Sequence, residues 1–246
     1  MANLVVNFYL DRTDEEDGFA CMPFFIALRA AVRAHVLATQ SKDPDIEGAA
    51  DKLAEARSYY DLAIALLRPN TKRLIAIGGF SGSGKSTIAV KVAPLIGLAP
   101  GARMIESDRL RKSMFGVEPE ERLPESAYAP EVSDKVYATM SERVERLLID
   151  GCPVIADAVF DKSQRRAAIE AAARGAEAPF DGIWLQTSAD RLKRRIKERL
   201  TTVSDATTDV LDMQLAGDIG QNAWNTVSTS GTLEETVHDT RSLLSV

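Results

Sequence analysis

The sequence predicts an α/β fold in which a mostly parallel sheet of five strands carries helices on both faces. From residue 73 onward, short apolar runs alternate with amphipathic helical stretches, which is the pattern of βαβ units. Two of these runs, RLIAI and PVIA, are almost continuously apolar, as parallel strands covered on both faces should be. The first seventy residues show only helical patterns. We therefore expect an all-helical appendage over residues 1–70 and an α/β domain over residues 71–246.

Three helices are predicted in the appendage. The first covers ANLVVNFYLDRT, and the second covers CMPFFIALRAAVRAHVLATQ. Apolar residues recur at helical spacing in the second helix, at Phe25, Leu28, Val32 and Val36. After the polar break SKDPD, a third helix repeats the pattern at Ile46, Leu53, Tyr60, Ala63 and Leu67. Pro69 marks its end, because a proline cannot continue a helix.

The α/β domain contains five strand candidates: RLIAIGG, ARMIES, PVIADAVF, FDGIWLQT and NTVST. Helices are expected near residues 85–96, 131–149, 162–174 and 189–200. The last stretch, TLEETVHDTRSLLSV, is predicted to be a closing helix with Thr232 as its N-cap.

Composition limits the classes of partner. The chain has 246 residues and a net charge of −6, which disfavours general binding to nucleic acids or anionic membranes. No basic, apolar leader is recognised at the N-terminus, and no apolar run is expected to reach the roughly 20 residues that span a bilayer. Cys21 and Cys152 show no metal-ligand spacing, so we expect reduced thiols. Together these features predict a cytoplasmic protein.

The segment GGFSGSGKST lies between the first predicted strand and a helix. It fits the pattern G-x-x-x-x-G-K-[ST], in which backbone N–H groups wrap around phosphate oxygens. Glycine permits both the positive φ and the close approach that this wrap requires. The motif predicts contact of Lys85 with the β- and γ-phosphates, of the Ser86 hydroxyl with Mg²⁺, and of Thr87 with the α-phosphate. The predicted phosphate-binding residues are Gly79, Ser81, Gly82, Ser83, Gly84, Lys85, Ser86 and Thr87.

Two carboxylates stand near the C-terminal ends of predicted strands, where ligands of open α/β sheets bind. We expect Asp108 to orient a hydroxyl that attacks the γ-phosphate, or to accept its proton. Its alternative role is that of a helix N-cap, for which Ser107 competes. We expect Asp157 to hold Mg²⁺ through water. Its alternative is a strand-end acid that accepts a bond from a nearby backbone N–H.

Several arginines are candidates for anion binding. Arg111 and Arg122 are candidate substrate residues, and Arg111 is suited to an acidic or phosphorylated acceptor. The basic stretch DRLKRRIKERL repeats arginine at every fourth position, which costs some repulsion unless an anion relieves it. We interpret it as a mobile lid that brings Arg195 or Arg199 over the transferring phosphoryl group. The alternative is a solvated cationic face that pairs with scattered acids.

Several segments together resemble the P-loop kinase domain of bacterial two-part proteins that also carry an aminoglycoside-phosphotransferase-like N-terminal domain. They are GGFSGSGKST, IESDRLRKSMFGV, RLPESAY, DKVYATM, GCPVIADAVFDKSQRR, DGIWLQT and SDATTDVLDMQ. The domain looks more distantly like gluconate kinases and zeta-toxin kinases. The resemblance implies the three-layer P-loop NTPase fold, with ATP and Mg²⁺ as cofactors. It also implies contact of Asp108 with the acceptor hydroxyl and of Arg195 or Arg199 with ATP.

The N-terminal helices, through FFIALRAAVRAHVLA, resemble the C-terminal end of the phosphotransferase-like half. The catalytic loop of that fold needs H-x-D followed by Asn, which does not occur before residue 70. The helices are therefore expected to serve as a docking appendage. Residues 20–68 should expose an apolar patch or mediate self-association, because part of their apolar surface has no partner.

The sequence as a whole predicts an ATP-dependent phosphotransferase that moves the γ-phosphoryl group to a hydroxyl of a small molecule. Lys85, Asp108, Arg195 and Arg199 are the predicted catalytic residues, and Ser86 and Asp157 the predicted metal ligands. One alternative is a non-catalytic ATP-binding regulatory module. Another is a 5′-hydroxyl nucleic-acid kinase, which is disfavoured by an aromatic content of 6% and by the negative net charge.

Overall fold

The computed structural model describes residues 1–43, 48–198 and 204–246. Five strands form one sheet in the order β2-β3-β1-β4-β5, and every neighbouring pair is parallel. The strands are β1 (Leu74–Gly78), β2 (Arg103–Glu106), β3 (Val154–Asp157), β4 (Phe180–Gln186) and β5 (Asn225–Ser228). All five strand candidates and the predicted parallel α/β fold are confirmed.

Ten α-helices lie in the described ranges. They are α1 (Ala2–Thr13), α2 (Met22–Gln40), α3 (Ala49–Leu66), α4 (Lys85–Val92), α5 (Ser107–Met114), α6 (Pro130–Ile149), α7 (Ser163–Gly175), α8 (Ala189–Lys197), α9 (Thr208–Ala216) and α10 (Leu233–Leu244). The N-cap at Thr232 is confirmed, since its hydroxyl accepts from the N–H of Glu235 and the Glu235 carboxylate accepts from the N–H of Thr232. The sequence analysis missed α5 and α9, because each is a short helix of eight or nine residues with a weak apolar repeat.

The sheet separates two apolar cores. Leu74 and Ala76 of β1 contribute to the core that contains residues of α5, α6 and α7, and Ile75 and Ile77 contribute to the core beneath α4 and α10. This alternation follows from the two-residue period of a strand. The central strand β1 is buried along its whole length. Its C-terminal end, where the glycine-rich segment begins, therefore lies in the middle of the three-layer domain.

Helix α1 covers the free edge of β2. The side-chain amide of Asn3 donates to the carbonyl of Ala102 at 2.9 Å, and Asn7 Oδ1 accepts from the backbone N–H of Met104 at 2.7 Å. An edge strand exposes unpaired N–H and C=O groups, which need polar partners. The two asparagines of α1 supply those partners in place of a sixth strand.

A buried ion-pair network joins the segment after α1 to the domain. The Glu16 carboxylate, 1% exposed, pairs with Arg103 and Arg143 at 2.9 Å each and with Arg146 at 3.2 Å. Burial by itself would raise the pKa of Glu16, but the hydrogen bonds and charges of Arg143 and Arg103 outweigh it and hold that pKa below its usual value. Residues 1–21 thus contact the α/β domain closely, and the proposed domain boundary at residue 70 stays a prediction.

Helices α2 and α3 pack against each other as a hairpin. Their buried faces consist mainly of small residues: Ala27, Ala30, Ala34 and Leu37 of α2, and Ala56, Ala63 and Leu66 of α3. Within the described ranges, the large apolar residues of the predicted repeats point outward, for example Phe25 at 56% exposure and Tyr60 at 59%. Ile46 of the third predicted helix lies outside those ranges. The predicted apolar patch is therefore present. The predicted self-association or docking through it stays a prediction.

The helical stretch Glu16–Gln40 is long and apolar enough to cross a membrane when only its length and composition are considered. The expectation that no stretch meets this criterion is therefore wrong. Arg29 and Arg33 are the only charges between residues 22 and 40, too few to offset the surrounding apolar residues. Core helices of soluble proteins meet the same criterion, so the predictions of a cytoplasmic location and of no membrane partner stay predictions.

The substitution Glu16→Gln is expected to lower the free energy of unfolding by about 2 kcal/mol at neutral pH, because it removes the buried charge that Arg103, Arg143 and Arg146 share, although Arg103 keeps Asp11 and Arg143 keeps Asp14 as partners. The folded pKa of Glu16 is depressed, so its stabilisation is present above the ordinary value of 4.5 and is lost as pH falls through the folded pKa. Urea unfolding at neutral and at acidic pH measures the difference, which should shrink in acid. Asp17→Asn, at an exposed neighbouring position, is the control. Equal losses in both variants would contradict the assignment.

Candidate active site

The glycine-rich loop leads from β1 into α4. Gly79, Gly82 and Gly84 have φ values of 137°, 85° and 96°, which side-chain-bearing residues rarely adopt. A Cβ atom on Gly79 would also lie 2.6 Å from the carbonyl oxygen of Leu185. The loop can therefore fold this tightly only with glycine at these positions, as the motif predicts.

The hydrogen-bond donors of the loop bind oxygen atoms of the protein itself. Lys85 Nζ donates to the carbonyl oxygens of Gly79 at 2.8 Å and of Phe80 at 3.2 Å. The backbone N–H of Ser81 donates to Oε1 of Gln214, on α9, at 3.0 Å. Phosphate oxygens are stronger acceptors than carbonyl or amide oxygens. A nucleotide phosphate can therefore replace these acceptors, provided that Gln214 withdraws.

Carboxylates gather beside Ser86. Glu106 of β2 and Asp157 of β3 are register partners at the C-terminal ends of adjacent strands. Glu106 Oε1 accepts from the Ser86 hydroxyl at 3.1 Å, and Oε2 accepts from Arg109 Nε at 3.0 Å. Burial first, and then the negative charges of Asp157 and Asp108, raise the pKa of Glu106 to about 7. Like charges held this close indicate a place where a cation would be stabilised.

The residues around Ser86 fit Mg²⁺ by their chemistry. One hydroxyl and two carboxylates are hard oxygen donors, and Mg²⁺ prefers such donors while keeping several waters or phosphate oxygens. Within the described ranges, no group of three or more His, Cys, Asp or Glu residues forms a ready metal cage. The donor set therefore suits an ion that arrives with a nucleotide. The sequence analysis missed Glu106, whose position at a strand end two residues before Asp108 was the available signal.

A cavity of about 590 Å³ extends from the loop to α5, α6 and the segment before α9. Asp108 and Arg111 lie three residues apart on α5, so they share one face of that helix. Arg111 is 6% exposed, and it donates to the carbonyl of Ala127 at 2.7 Å and to the Ser133 hydroxyl at 3.3 Å. Its guanidinium lies over the ring of Tyr128, 4.9 Å from the ring centroid. Burial lowers the pKa of Arg111, and the charge of Asp108 opposes that effect.

Arg165 enters the same cavity from α7. It pairs with Asp134 and Asp161 at 2.9 Å each, and its guanidinium lies 4.2 Å from the ring centroid of Tyr137. The sequence analysis missed Arg165: it lies in the segment GCPVIADAVFDKSQRR, but its place in the cavity depends on the packing of α7 against α6.

The segment before α9 closes the cavity on its outer side. Asp205 accepts from Lys112 Nζ at 3.1 Å, from the N–H of Leu123 at 3.0 Å and from the Tyr128 hydroxyl at 2.7 Å. Burial pushes the pKa of Asp205 upward, but these hydrogen bonds outweigh it and hold the pKa below its usual value. Asp205 of this segment and Gln214 of α9 thus contact both halves of the site. The predicted lid, DRLKRRIKERL, stays a prediction.

The structure brings most of the predicted site residues to one cavity. The predicted residues that line it are Ser81, Gly82, Gly84, Lys85, Ser86, Thr87, Asp108, Arg111 and Asp157. Gly79 and Ser83 belong to the loop but are not part of the cavity wall. Their roles in phosphate binding, like those of the lining residues, stay predictions.

Three predicted arginines do not line the cavity in the described part of the chain. Arg122 is exposed outside it. Arg195 donates to the carbonyl of Thr229 at 2.9 Å and lies 3.4 Å from the carbonyl oxygens of Gly82 and Ser83, on the outer side of the loop. Arg199 lies outside the described residues. The catalytic or substrate roles of these arginines stay predictions.

Comparison with protein families matches residues 74–217 to a family described as the AAA domain. Uncharacterized proteins of Mycobacterium tuberculosis and Mycobacterium bovis are each 29% identical over 233 residues, which is 93% of this chain. The match covers 45% of each relative, so the chain spans less than half of their length.

Two solved structures are similar in fold. A sugar kinase from Janibacter is 20% identical with a TM-score of 0.51, and the match covers 71% of this chain and 95% of that one. The APS kinase of Mycobacterium tuberculosis, in complex with AMPPNP and APS, is 18% identical with a TM-score of 0.51. That match covers 73% of this chain and 100% of the other. At these identities the likeness is one of fold.

The substitution Asp205→Ala is expected to lower the free energy of unfolding by about 2 kcal/mol. Among the described residues, the ammonium of Lys112, 1% exposed, would keep only the carbonyl of Pro119 as a hydrogen-bond acceptor. Urea unfolding measures the loss, and limited proteolysis reports whether the segment before α9 loosens. Asp209→Ala, at an exposed position in the first turn of α9, is the matched control and should lose less. Equal stability of the two variants would contradict an anchoring role for Asp205.

Proposed function

We propose, from the premise that this chain belongs to the AAA-domain family matched by residues 74–217, that it is an ATP-dependent kinase of a small molecule that carries a hydroxyl group. The observation that carries this proposal is the shared cavity. It contains the phosphate-binding loop with Lys85 and Ser86, and it also contains Asp108. A γ-phosphate and an attacking hydroxyl thus have partners within one enclosure.

In this proposal the loop binds the triphosphate of ATP. The N–H groups of residues 81–86, the N-terminus of α4 and the Lys85 ammonium supply positive charge to the phosphate oxygens. Ser86 and Asp157, together with Glu106, would hold Mg²⁺. When bound, the ion would neutralise charge on the β- and γ-phosphates.

Asp108 is placed to act on the acceptor. It stands in the first turn of α5 and lines the cavity. An ionised Asp108 can accept a hydrogen bond from the hydroxyl and hold its oxygen toward the γ-phosphate. Catalysis would then come chiefly from positioning and from the charges around the phosphate.

The lid arginines require a movement. Arg195 lies against the outer side of the loop, where its hydrogen bonds to Thr229 and its proximity to the loop carbonyls hold it. We propose that α8 shifts when ATP displaces Gln214 from the loop, and that Arg195 or Arg199 then reaches the transferring phosphoryl group.

The apolar patch on α2 and α3 favours a second candidate function. A nucleotide-binding domain with a large exposed apolar face suits a regulatory module that binds ATP and docks on a partner. In that case the N-terminal helices, which resemble the end of a phosphotransferase-like domain, would be the docking element. The two candidates differ in whether a phosphoryl group is transferred.

Two substitutions separate these functions. Asp108→Asn is expected to reduce phosphoryl transfer by about 10²- to 10⁴-fold and to leave the Kd for ATP unchanged, because Asp108 faces the acceptor. Lys85→Ala should weaken ATP binding by about tenfold or more, because the phosphates lose a charge-assisted hydrogen bond. Calorimetry with Mg·ATP measures binding, and ADP release in the presence of a metabolite extract measures transfer.

Matched controls exist on the same chain. Asp239→Asn on α10 and Lys91→Ala in the last turn of α4 are exposed positions and should behave like the unchanged protein. Binding of ATP without ADP release for any extract would favour the regulatory module. Full transfer by Asp108→Asn would refute the role of Asp108.

A further inference from the structure

We propose that the acceptor is an anionic hydroxy compound, and that Arg111 and Arg165 bind its carboxylate or phosphate group while Asp108 binds the hydroxyl. This inference rests on the proposed kinase function and names the substrate class of the same site. Three observations carry it: the surroundings of Arg111, the unsatisfied N–H groups of both arginines, and the aromatic support behind each guanidinium.

Arg111 is a buried cation whose described hydrogen-bond partners are neutral. Its hydrogen bonds go to the carbonyl of Ala127 and to the hydroxyl of Ser133, and no carboxylate in the described ranges lies within 4.0 Å of it. Its Nε–H is buried without any hydrogen-bond acceptor in the described structure. A buried guanidinium is costly unless it is paired, so this arrangement indicates an anionic partner from outside the chain.

Arg165 faces the same space from α7. Its side chain is 12% exposed, and its Nε is likewise buried without a hydrogen-bond acceptor. The positive charge of Arg165 lowers the pKa of Arg111, so the two guanidinium groups are close enough to repel each other. An anion between them would replace this repulsion with two attractions.

The acidic residues around the two arginines do not take the place of the proposed anion. Asp134 and Asp161 both pair with Arg165, and Asp134 is 63% exposed, so it contributes little. The charge of Asp108 also acts on Arg111, and the proposed reaction assigns Asp108 to the hydroxyl. Arg111 therefore has no dedicated carboxylate within the described chain.

Aromatic rings orient both arginines. Tyr128 lies behind the guanidinium of Arg111 and Tyr137 behind that of Arg165, at 4.9 and 4.2 Å. A guanidinium that lies over a ring keeps its N–H groups in its own plane and free of the ring. A carboxylate or phosphate in that plane accepts two parallel hydrogen bonds. A neutral polyol offers weaker acceptors, and a cationic amino sugar would be repelled by the pair.

The first experiment identifies the charge of the acceptor. A metabolite extract is separated on an anion-exchange column, and each fraction is tested for ADP release and for a new phosphorylated product with Mg·ATP. The acceptor is expected in the retained, anionic fractions, where elution order further distinguishes carboxylates from phosphates. Transfer only to compounds in the unretained neutral or cationic fractions would overturn the inference and leave the proposed kinase function standing.

The second experiment does not depend on transfer. Inorganic sulfate is titrated into protein saturated with Mg·AMPPNP, so that the nucleotide already fills the phosphate-binding loop, and the melting temperature is followed. Sulfate is expected to raise the melting temperature of the unchanged protein and of Arg174→Gln, an exposed control on the same helix, but not of Arg165→Gln. The same rise in Arg165→Gln, or no rise in any form, would overturn the anion site. A rise that depends on Arg165 in a protein without any transfer would refute the kinase and keep the site.

Steady-state kinetics then tests each arginine. Arg165→Gln is expected to raise KM for the anionic acceptor roughly tenfold to a hundredfold while KM for ATP stays constant. Arg111→Lys keeps the charge but loses the parallel N–H groups of the guanidinium, and should also raise KM for the acceptor. Equal ATP affinity of both variants shows that they are folded. An unchanged acceptor KM in both variants would contradict the proposal.

Discussion

The rest of the structure depends on the tight loop at the end of the central strand β1. Its glycines adopt positive φ values, and a side chain on Gly79 would collide with the backbone of Leu185. The loop therefore presents N–H groups and the Lys85 ammonium at the point where the two halves of the parallel sheet diverge. Every other part of the site is placed relative to that point: the acids of β2 and β3 on one side, and α9 with its glutamine above.

The cavity contains a cluster of acidic residues and, apart from it, a cluster of basic residues. Each cluster brings like charges together, which does not stabilise the fold. Burial and the negative charges of Asp157 and Asp108 raise the pKa of Glu106. The positive charges of Arg111 and Arg165 repel each other across the cavity. Such arrangements cost free energy in the absence of ligand, because like charges repel each other in a desolvated site. They become favourable when a cation enters the acidic group and an anion enters the basic one. The charge pattern therefore supports the proposal of a metal nucleotide on one side and of an anionic acceptor on the other.

The N-terminal residues divide into two kinds of structure. The first helix and the turn after it complete the sheet edge with asparagine amides and a buried glutamate, so they contact the α/β domain intimately. The α2–α3 hairpin instead buries alanines within itself and turns its phenylalanines and tyrosines outward. An apolar face of this kind needs a covering surface in water. The matched region covers 45% of the length of each related mycobacterial protein.

The sequence by itself determined the parallel sheet, its five strands and the phosphate-binding loop, because two-residue and helical periodicities and a glycine motif are local signals. It also placed Asp108 and Asp157 at strand ends. Only the tertiary structure brought in Glu106, Arg165 and Asp205, and only it moved Arg195 to the outer side of the loop. Glu106 at a strand end and Arg195 in an arginine repeat carry a local signal, but that signal does not show where the side chains lie in the site. Their positions follow from strand register, from the packing of α7 on α6 and from hydrogen bonds between residues up to 113 positions apart, none of which a periodicity encodes.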